Sequence, residues 1–384
     1  MYLAFKEMAR SKVRFGLLVA AIALLVFLIL FQQSLQNGLI TGFIGAVRNQ
    51  SAPVLVYSVD GQRVIQGSIL TPDLEAAARG AEGVGQVGRI GQGTFTALPT
   101  AERLGGDSET FDTTVIGYEL GEAGRGLGSP SSLSAGRYPT ADDEAVASSS
   151  DQASGFDLGD TIRILPGDEV ITIVGLADDA QLNVTPTLFA SYETYTAAVA
   201  SANPDAKGVL PNVLAMSPAE GVTPEQLVAN VNAASPDLDA LTRADAEANT
   251  PGVSQVRQSF NLIFLLYGLV VPCVTGLFFL IVTFQKANTL TLLRAVGAPS
   301  SRLVGSLLTQ VALILGAGIA LGAVLYYPIS QQRLGGIQLR FETSAAIFWA
   351  VLLLVLGVGS ALLAARRVLA IDPIEATTGA GVGR

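Results

Sequence analysis

Four apolar runs, each nearly free of charge, constrain this chain more than any other feature. They cover about residues 15–31, 260–284, 303–326 and 345–365. The first, Phe15 to Phe31, has 17 residues, and the others are longer. A helix needs about 20 apolar residues to cross the hydrocarbon core of a bilayer. Runs of this length and composition therefore read as transmembrane helices. The first is too long for a signal-peptide core, and no small-x-small cleavage site follows it in Gln32-Gln33-Ser34-Leu35-Gln36-Asn37. Its helical pattern continues through Ile44, beyond the apolar stretch. Pro272, near the middle of the second run, removes a helix hydrogen bond and predicts a kink there.

Charge separates the rest of the chain into two environments. Between Gln33 and Ser254 lie 28 of the 32 acidic residues but only ten of the 23 basic ones, a balance of −18. The remainder carries 13 basic and four acidic residues, +9. Nine Lys and Arg flank the runs on one side: Lys6, Arg10, Lys12 and Arg14, then Lys286, Arg294 and Arg302, then Arg366 and Arg367. The opposite short loop holds two, Arg333 and Arg340. The positive-inside rule places both termini in the cytoplasm and the acidic segment outside, in a multi-pass protein of a bacterial plasma membrane. Tyr326, Tyr327, Phe341, Phe348 and Trp349 then fall at the outer interface, where aromatic belts form. The acidic segment would repel phosphate backbones, so no nucleic-acid partner is expected.

The outer segment, residues 45–250, reads as a mixed α+β domain, possible as two lobes. Short β-rich runs at 54–59, 114–118, 161–165, 170–174 and 212–216 are each bounded by Gly, Pro or Asp. Arg163 to Val170 reads as a hairpin. Thr71-Pro72-Asp73 starts a helix, and Thr223-Pro224-Glu225-Gln226 is a capping box. The stretches 104–112, 121–136 and 149–155 read as loops. Gly83-Val84-Gly85-Gln86-Val87-Gly88 matches a dinucleotide fingerprint by spacing. It follows a helix pattern rather than a strand and opens no helix, so it reads as a loop.

Catalysis finds no support. The chain has no histidine, which excludes a Ser-His-Asp triad and the commonest metal ligand. Cys273 is the single cysteine and sits in an apolar run. No glycine-rich loop ends in Gly-Lys-Ser/Thr, so no Walker-type nucleotide site is present, and no HExxH occurs. Asp142-Asp143-Glu144 reads as an exposed turn rather than a metal site. No catalytic residue, metal or cofactor is expected in this chain, which reads as a non-enzyme subunit.

The turn between the second and third runs carries the most specific motif. Leu290, Leu293 and Val296 share one side of a short helical pattern. Gly297 sets a C-cap, and Ser300 and Ser301 can cap the next helix. The motif Leu292-Leu293-Arg294-Ala295-Val296-Gly297-Ala298, the tail Ala370-Ile371-Asp372-Pro373-Ile374-Glu375-Ala376 and the opening Leu3 to Arg14 resemble the FtsX/MacB-like permease family of ABC transporters. The stretches Gly136-Arg137-Tyr138-Pro139 and Asp157-Leu158-Gly159-Asp160-Thr161-Ile162 are similar to part of that family's outer domain. Within the family the chain looks closest to the DevC/HrtB-like group, which includes haem exporters.

The resemblance implies a membrane protein with four transmembrane α-helices and a large extracytoplasmic α+β domain inserted between helices 1 and 2. The expected order begins with a cytoplasmic amphipathic helix (1–14), transmembrane helix 1 and stalk (15–44) and the outer domain (45–250). A second stalk and helix 2 (251–284), a cytoplasmic coupling helix (285–302) and helix 3 (303–326) follow. A short outer loop (327–344), helix 4 (345–365) and a cytoplasmic tail (366–384) complete it. The resemblance also implies a homodimer of permeases in membrane lipid, docked on two cytoplasmic ABC ATPase subunits that bind ATP and Mg. Coupling falls to Leu292, Leu293, Arg294, Ala295, Val296, Gly297 and Arg302. Haem is the leading substrate, with lipid or peptide as other cargo and mechanical control of a cell-wall hydrolase as a different reading. Asn37, Arg48, Arg257, Asn261 and Tyr267, near the outer ends of helices 1 and 2, are the candidate substrate residues. The arginines suit propionates, and Tyr267 suits iron. Gly318 and Gly322 in the third run and Gly357 and Gly359 in the fourth suit close helix packing.

Overall fold

Helix α1 (Lys12–Arg48) is a single run of 37 residues. Leu, Val, Ala and Ile fill its first half, and no proline follows to end it, so it continues four residues beyond the expected Ile44. In a computed structural model of the chain, residues 12–100, 109–167, 169–205, 208–285, 299–334 and 337–369 are described. The structure has two compact units. One comprises residues 1–36, 258–332 and 339–384, the other residues 37–257 and 333–338.

The first unit is helical. To the start of α1 it adds most of α6 (Val253–Gln285), then α7 (Ser300–Tyr326) and α8 (Thr343–Leu369). Among the described residues, three helical stretches, Phe15–Arg48, Val304–Gln331 and Thr343–Ser360, are long and apolar enough to cross a membrane. The expected second span falls within α6, one helix of 33 residues that continues through Pro272. Helix α7 begins at Ser300 with Pro299 at its N-cap and no side-chain cap, so Ser300 and Ser301 lie inside the helix rather than capping it.

Its core joins Ile22, Val26 and Ile29 of α1 to Val311, Ile314 and Leu315 of α7 and Leu353 of α8. Glycine makes the approach possible. A Cβ on Gly318 would lie 2.5 Å from the Ile22 side chain, and one on Gly322 2.6 Å from the Ala23 carbonyl oxygen. A Cβ on Gly357 would lie 2.5 Å from Leu315, whereas one on Gly359 would meet nothing within 4 Å. Three of the four expected packing glycines thus do this work, and Gly359 does not.

The second unit is built on ten strands. In chain order they are β1 (Val54–Ser58), β2 (Val84–Pro99), β3 (Phe111–Tyr118), β4 (Ala135–Gly136), β5 (Glu144–Ser148), β6 (Thr161–Leu165), β7 (Val170–Ala177), β8 (Thr187–Ser191), β9 (Val213–Pro218) and β10 (Leu238–Thr242). Pairing follows β10-β1-β9-β2-β3-β8-β5-β7-β4, and β6 bridges β2 to β7. The ladder β2-β3-β8-β5-β7-β6 therefore closes on β2. This closed part and the open part β9-β1-β10 form the two lobes. A two-residue pair, β11 (Arg333–Leu334) and β12 (Ile337–Gln338), also belongs to this unit.

Residue alternation assigns the cores. In β1, Val54 and Val56 face one cluster with Leu214, Met216, Leu227 and Val231. Leu55 and Tyr57 face another with Ile90, Ile116, Val213 and Ala215. The closed ladder buries Ala97, Val115, Ile162, Ile164, Ile171 and Leu188. Helices α2 (Pro72–Arg79) and α4 (Pro224–Ala234) start at Thr71 and at the Thr223–Gln226 capping box, as the sequence predicts. Helix α3 (Tyr192–Ala202) starts at Ser191, whose side chain accepts from the Thr194 amide. A short α5 (Arg243–Asn249) precedes α6.

Two readings are corrected here. Gly83 to Gly88 is not a loop: β2 begins at Val84, with a bulge between Val84 and Gln86 in its pairing with β9. A Cβ on Gly85 would come within 2.7 Å of the Pro218 carbonyl oxygen, so the glycine lets the two strands approach. The stretch 149–154 is a 3-10 helix rather than irregular loop. Further along β2 the glycines seat an aromatic ring. A Cβ on Gly91 would lie 2.1 Å from the Tyr195 ring, and one on Gly117 would lie 2.3 Å from the Tyr195 Cβ.

An exposed turn staples β5. Arg137 donates through both Nη1, at 2.6 Å, and Nη2 to the Glu144 carboxylate, and the Thr140 amide donates to it at 2.8 Å. The Arg137 hydrogen bonds hold the Glu144 carboxyl down at about 2, against the small opposing effect of burial. A depressed folded pKa adds stability above the ordinary carboxylate range and loses it as pH falls toward 2. Acid titration of the full chain by circular dichroism should therefore show a loss of stability below the ordinary glutamate range, and Arg137→Ala should reduce that pH dependence. In the helical unit, Gly322→Leu should lower stability by about 1–3 kcal/mol through overpacking, with Gly359→Leu nearly neutral, as read by thermal unfolding in detergent.

Candidate functional site

A groove of about 640 Å³ opens in the helical unit. Helix α6 presents Asn261, Phe264, Leu265 and Gly268 to it, at spacings of three and four that share one helical face. Helix α8 presents Ser344, Phe348, Trp349 and Leu352, and α1 contributes Gln33. A Cβ on Gly268 would meet nothing within 4 Å, so the missing side chain leaves the groove floor open. Phe264 lies 5.5 Å from Trp349 and 6.4 Å from Tyr267 by ring centroid, and Phe348 stands edge-on to Trp349 at 5.6 Å. These contacts fix a wall of aromatic rings. The Trp349 indole donates to Gln33 Oε1 at 3.5 Å, which orients both side chains.

The lining carries no formal charge. Asn261, Gln33 and Ser344 supply hydrogen-bonding groups on an otherwise apolar surface. That chemistry suits a flat or chain-like apolar body with one polar edge, and it gives a free ion no counter-charge.

Of the five residues selected from sequence, the structure brings Asn261 into the groove, and Tyr267 lies beside it with its ring tilted 57° to that of Phe264. Asn37, Arg48 and Arg257 belong to the other unit. There Arg257 Nη2 lies 2.9 Å and Arg48 Nε 3.4 Å from the same Glu247 oxygen. Both guanidinium groups therefore share one carboxylate that sequence spacing does not reveal. The aromatic wall was also not selected, although the 264–268 and 348–352 spacings carry its signal. Coupling residues Leu292, Leu293, Arg294, Ala295, Val296 and Gly297 lie outside the described residues, and Arg302 lies in the first turn of α7. The tail motif at 370–376 and the opening 1–11 also lie outside them. Among the described residues no cluster of His, Cys, Asp or Glu could hold a metal ion.

A second feature joins α1 to the strand-rich unit. The loop 178–185 runs along the end of the helix. Asn183 and Val184 amides donate to the Phe43 and Gly42 carbonyls at 3.1 and 2.8 Å, and the Ala46 amide donates to Gln181 O at 2.9 Å. Asn49 Nδ2 adds a bond to Asp179 O at 2.7 Å. A Cβ on Gly45 would sit 2.3 Å from that same Asp179 oxygen. The loop holds Asp179, Asn183 and Val184 in left-handed backbone at φ 53°, 57° and 58°. For a β-branched residue such as Val184 that conformation is strained, so surrounding contacts must enforce it.

No protein-family model matches the chain. Along its length, however, it is similar to permease proteins of transport systems, as the cytoplasmic motifs lead one to expect. It is 20% identical over 382 residues to the hemin transport system permease protein HrtB of Staphylococcus epidermidis, covering 99% of both chains. To HrtB of Staphylococcus haemolyticus it is 22% identical over 386 residues, again covering 99% of each. Among solved structures, the periplasmic region of MacB from Actinobacillus actinomycetemcomitans aligns with 54% of this chain and 96% of its own, at 14% identity and a TM-score of 0.36. The extracellular domain of the ABC-type transporter YknZ from Gram-positive bacteria aligns with 50% of this chain and all of its own, at 13% identity and a TM-score of 0.30.

The loop contact yields a test of opposite signs. Alanine improves helix propensity over glycine by about 1 kcal/mol at either Gly42 or Gly45. At Gly42 the nearest atom to a new Cβ is a Val184 methyl at 3.4 Å, but at Gly45 it is a backbone oxygen at 2.3 Å. Gly42→Ala should leave thermal stability unchanged or higher, whereas Gly45→Ala should lower it.

Proposed function

We propose that this chain is the permease subunit of an ABC-type efflux system, driven by ATP hydrolysis on a separate cytoplasmic subunit. The observation that carries the reading is similarity over 99% of both chains to permeases of hemin transport systems. The long apolar helices support it. In this reading the protein spans the bacterial plasma membrane four times, with both termini in the cytoplasm, α6 as the second span and the strand-rich unit outside. Two copies pair in the lipid, and residues 285–302 dock on the ATPase.

The substrate in this proposal is an amphiphile dissolved in the membrane, with haem as the leading candidate. The uncharged aromatic groove suits a flat macrocycle better than a hydrated ion. With no histidine in the chain, Tyr267 beside the groove is the proposed iron ligand, and Asn261 a polar contact. Arg48 and Arg257 of the strand-rich unit, proposed from sequence for propionates, would have to give up Glu247 to take an anion. ATP-driven closure would draw the paired helices together and expel the substrate sideways from the outer leaflet. The hydrogen-bonded loop 178–185 on α1 favours a second reading, in which helix motion acts on an extracytoplasmic partner and no substrate is moved.

A haem titration of the purified chain in nanodiscs separates the two. Export of haem predicts a saturable Soret shift that moves in Tyr267→Phe and weakens in Arg48→Ala and Gly268→Phe. No spectral change in any variant would count against haem as the substrate and leave export of lipid or peptide and the mechanical reading. Topology has its own check: in a Cys273→Ala background, Ser300→Cys should resist an impermeant thiol reagent applied outside intact cells.

A further inference from the structure

The strand-rich unit contains a small cavity beside the contact of loop 178–185 with α1. Its volume is about 40 Å³, and its lining includes Phe43 of α1, Tyr57 of β1, Arg63 and Val64 of the loop after β1, Gln92 of β2 and Asn183 of loop 178–185. Gln92 is 3% exposed, and its side-chain Nε2 is buried without a hydrogen-bond partner. The chain around it is otherwise satisfied. The Gln92 amide donates to Asn212 Oδ1 at 2.7 Å, and Asn212 Nδ2 donates to Ser68 O at 2.9 Å. A buried amide donor left unpaired costs about 1–3 kcal/mol, and such groups are rare in native proteins.

Backbone strain converges on the same place. Arg63 at φ 64° and Asn183 at φ 57° both line the cavity in left-handed conformation. Side chains of this kind persist there only when the surroundings over-determine them, and they concentrate at ligand sites.

Charge narrows the ligand. Arg63 Nε donates to Asp239 Oδ2 at 2.8 Å, so its charge is already compensated. Burial first, and then the Asp239 carboxylate, push the Tyr57 phenol above its ordinary value and keep it neutral. The segment between Gln33 and Ser254 carries −18 in all. A carboxylate would find no uncompensated cation and a repelling field, while an ammonium would face the Gln92 donor and the Arg63 guanidinium. A plain hydrocarbon would leave Gln92 unpaired. At the mouth, Phe43 and Val64 are 39% and 42% exposed, an apolar rim around a polar floor.

We propose that this cavity binds a neutral amide group carried on a slim apolar body, the amide oxygen accepting from Gln92 Nε2 and the body resting on Phe43 and Val64. The bound molecule would touch α1, β1, β2 and loop 178–185 together, and so would tie the end of the helix to the sheet. The proposal does not depend on haem export, since the groove and its titration involve other residues.

The probe is hexanamide, with hexanoate and hexylammonium as charged counterparts of the same length. Ligand-observed NMR on the full chain in nanodiscs should give saturable hexanamide binding, with both charged analogues at least tenfold weaker. Gln92→Leu should weaken hexanamide at least tenfold while thermal stability is kept or raised. Val64→Trp, an exposed position at the mouth, should produce the same loss and guards against misfolding of the first variant. Absence of saturable hexanamide binding, binding unchanged in both variants, or hexanoate binding as tightly as hexanamide would overturn the proposal.

Discussion

One helix is common to both units, and its end is held by main-chain hydrogen bonds from loop 178–185. Those bonds need helix carbonyls left accessible, and glycine is required at 45, where the loop backbone comes closest to the helix. A side chain at 45 would collide with backbone rather than with a flexible neighbour. This contact of loop and helix end lies within the strand-rich unit and rests on main chain. Rotation of the last turns of α1 must move residues 178–185, and through them β7 and β8, which flank the loop. The strained Val184 fits this picture, because a contact that holds a disfavoured backbone does not yield easily.

The helical unit follows the opposite rule. Gly318 and Gly357 meet aliphatic side chains there, Gly322 meets the Ala23 carbonyl oxygen, and the groove is left open by Gly268. Nothing charged lines that groove, so attraction there must come from dispersion, ring contacts and a few hydrogen bonds. The two arginines selected for anion recognition illustrate the limit of reading charge from spacing. Both lie near helix ends as expected, yet they share Glu247, a residue between them in sequence only in the loosest sense.

Local signals were legible. Thr71 and Thr223 cap helices because the cap and its partner lie three residues apart. The hairpin from Arg163 to Val170 and the short β-branched strands announce themselves in the same way. The long β2 did not, because glycines at 85, 88, 91 and 93 dilute its strand pattern. They are there for neighbours far away in sequence: Pro218 beside Gly85 and the Tyr195 ring over Gly91. The groove draws on residues 33, 261–268 and 344–352, and no window of the sequence contains that combination. The partnerless Gln92 amide is equally invisible, since its neighbours come from α1, two strands and two loops. Between Lys286 and Ala298 the sequence motif stands on its own, outside the described residues.

Strand β2 spans 16 residues and serves both lobes of the strand-rich unit. Its first half pairs with β9, its middle with β3 and its last four residues with β6. Neither lobe can shed its edge without exposing the backbone of the other. Under load or heat the two lobes are accordingly bound to fail as one cooperative block.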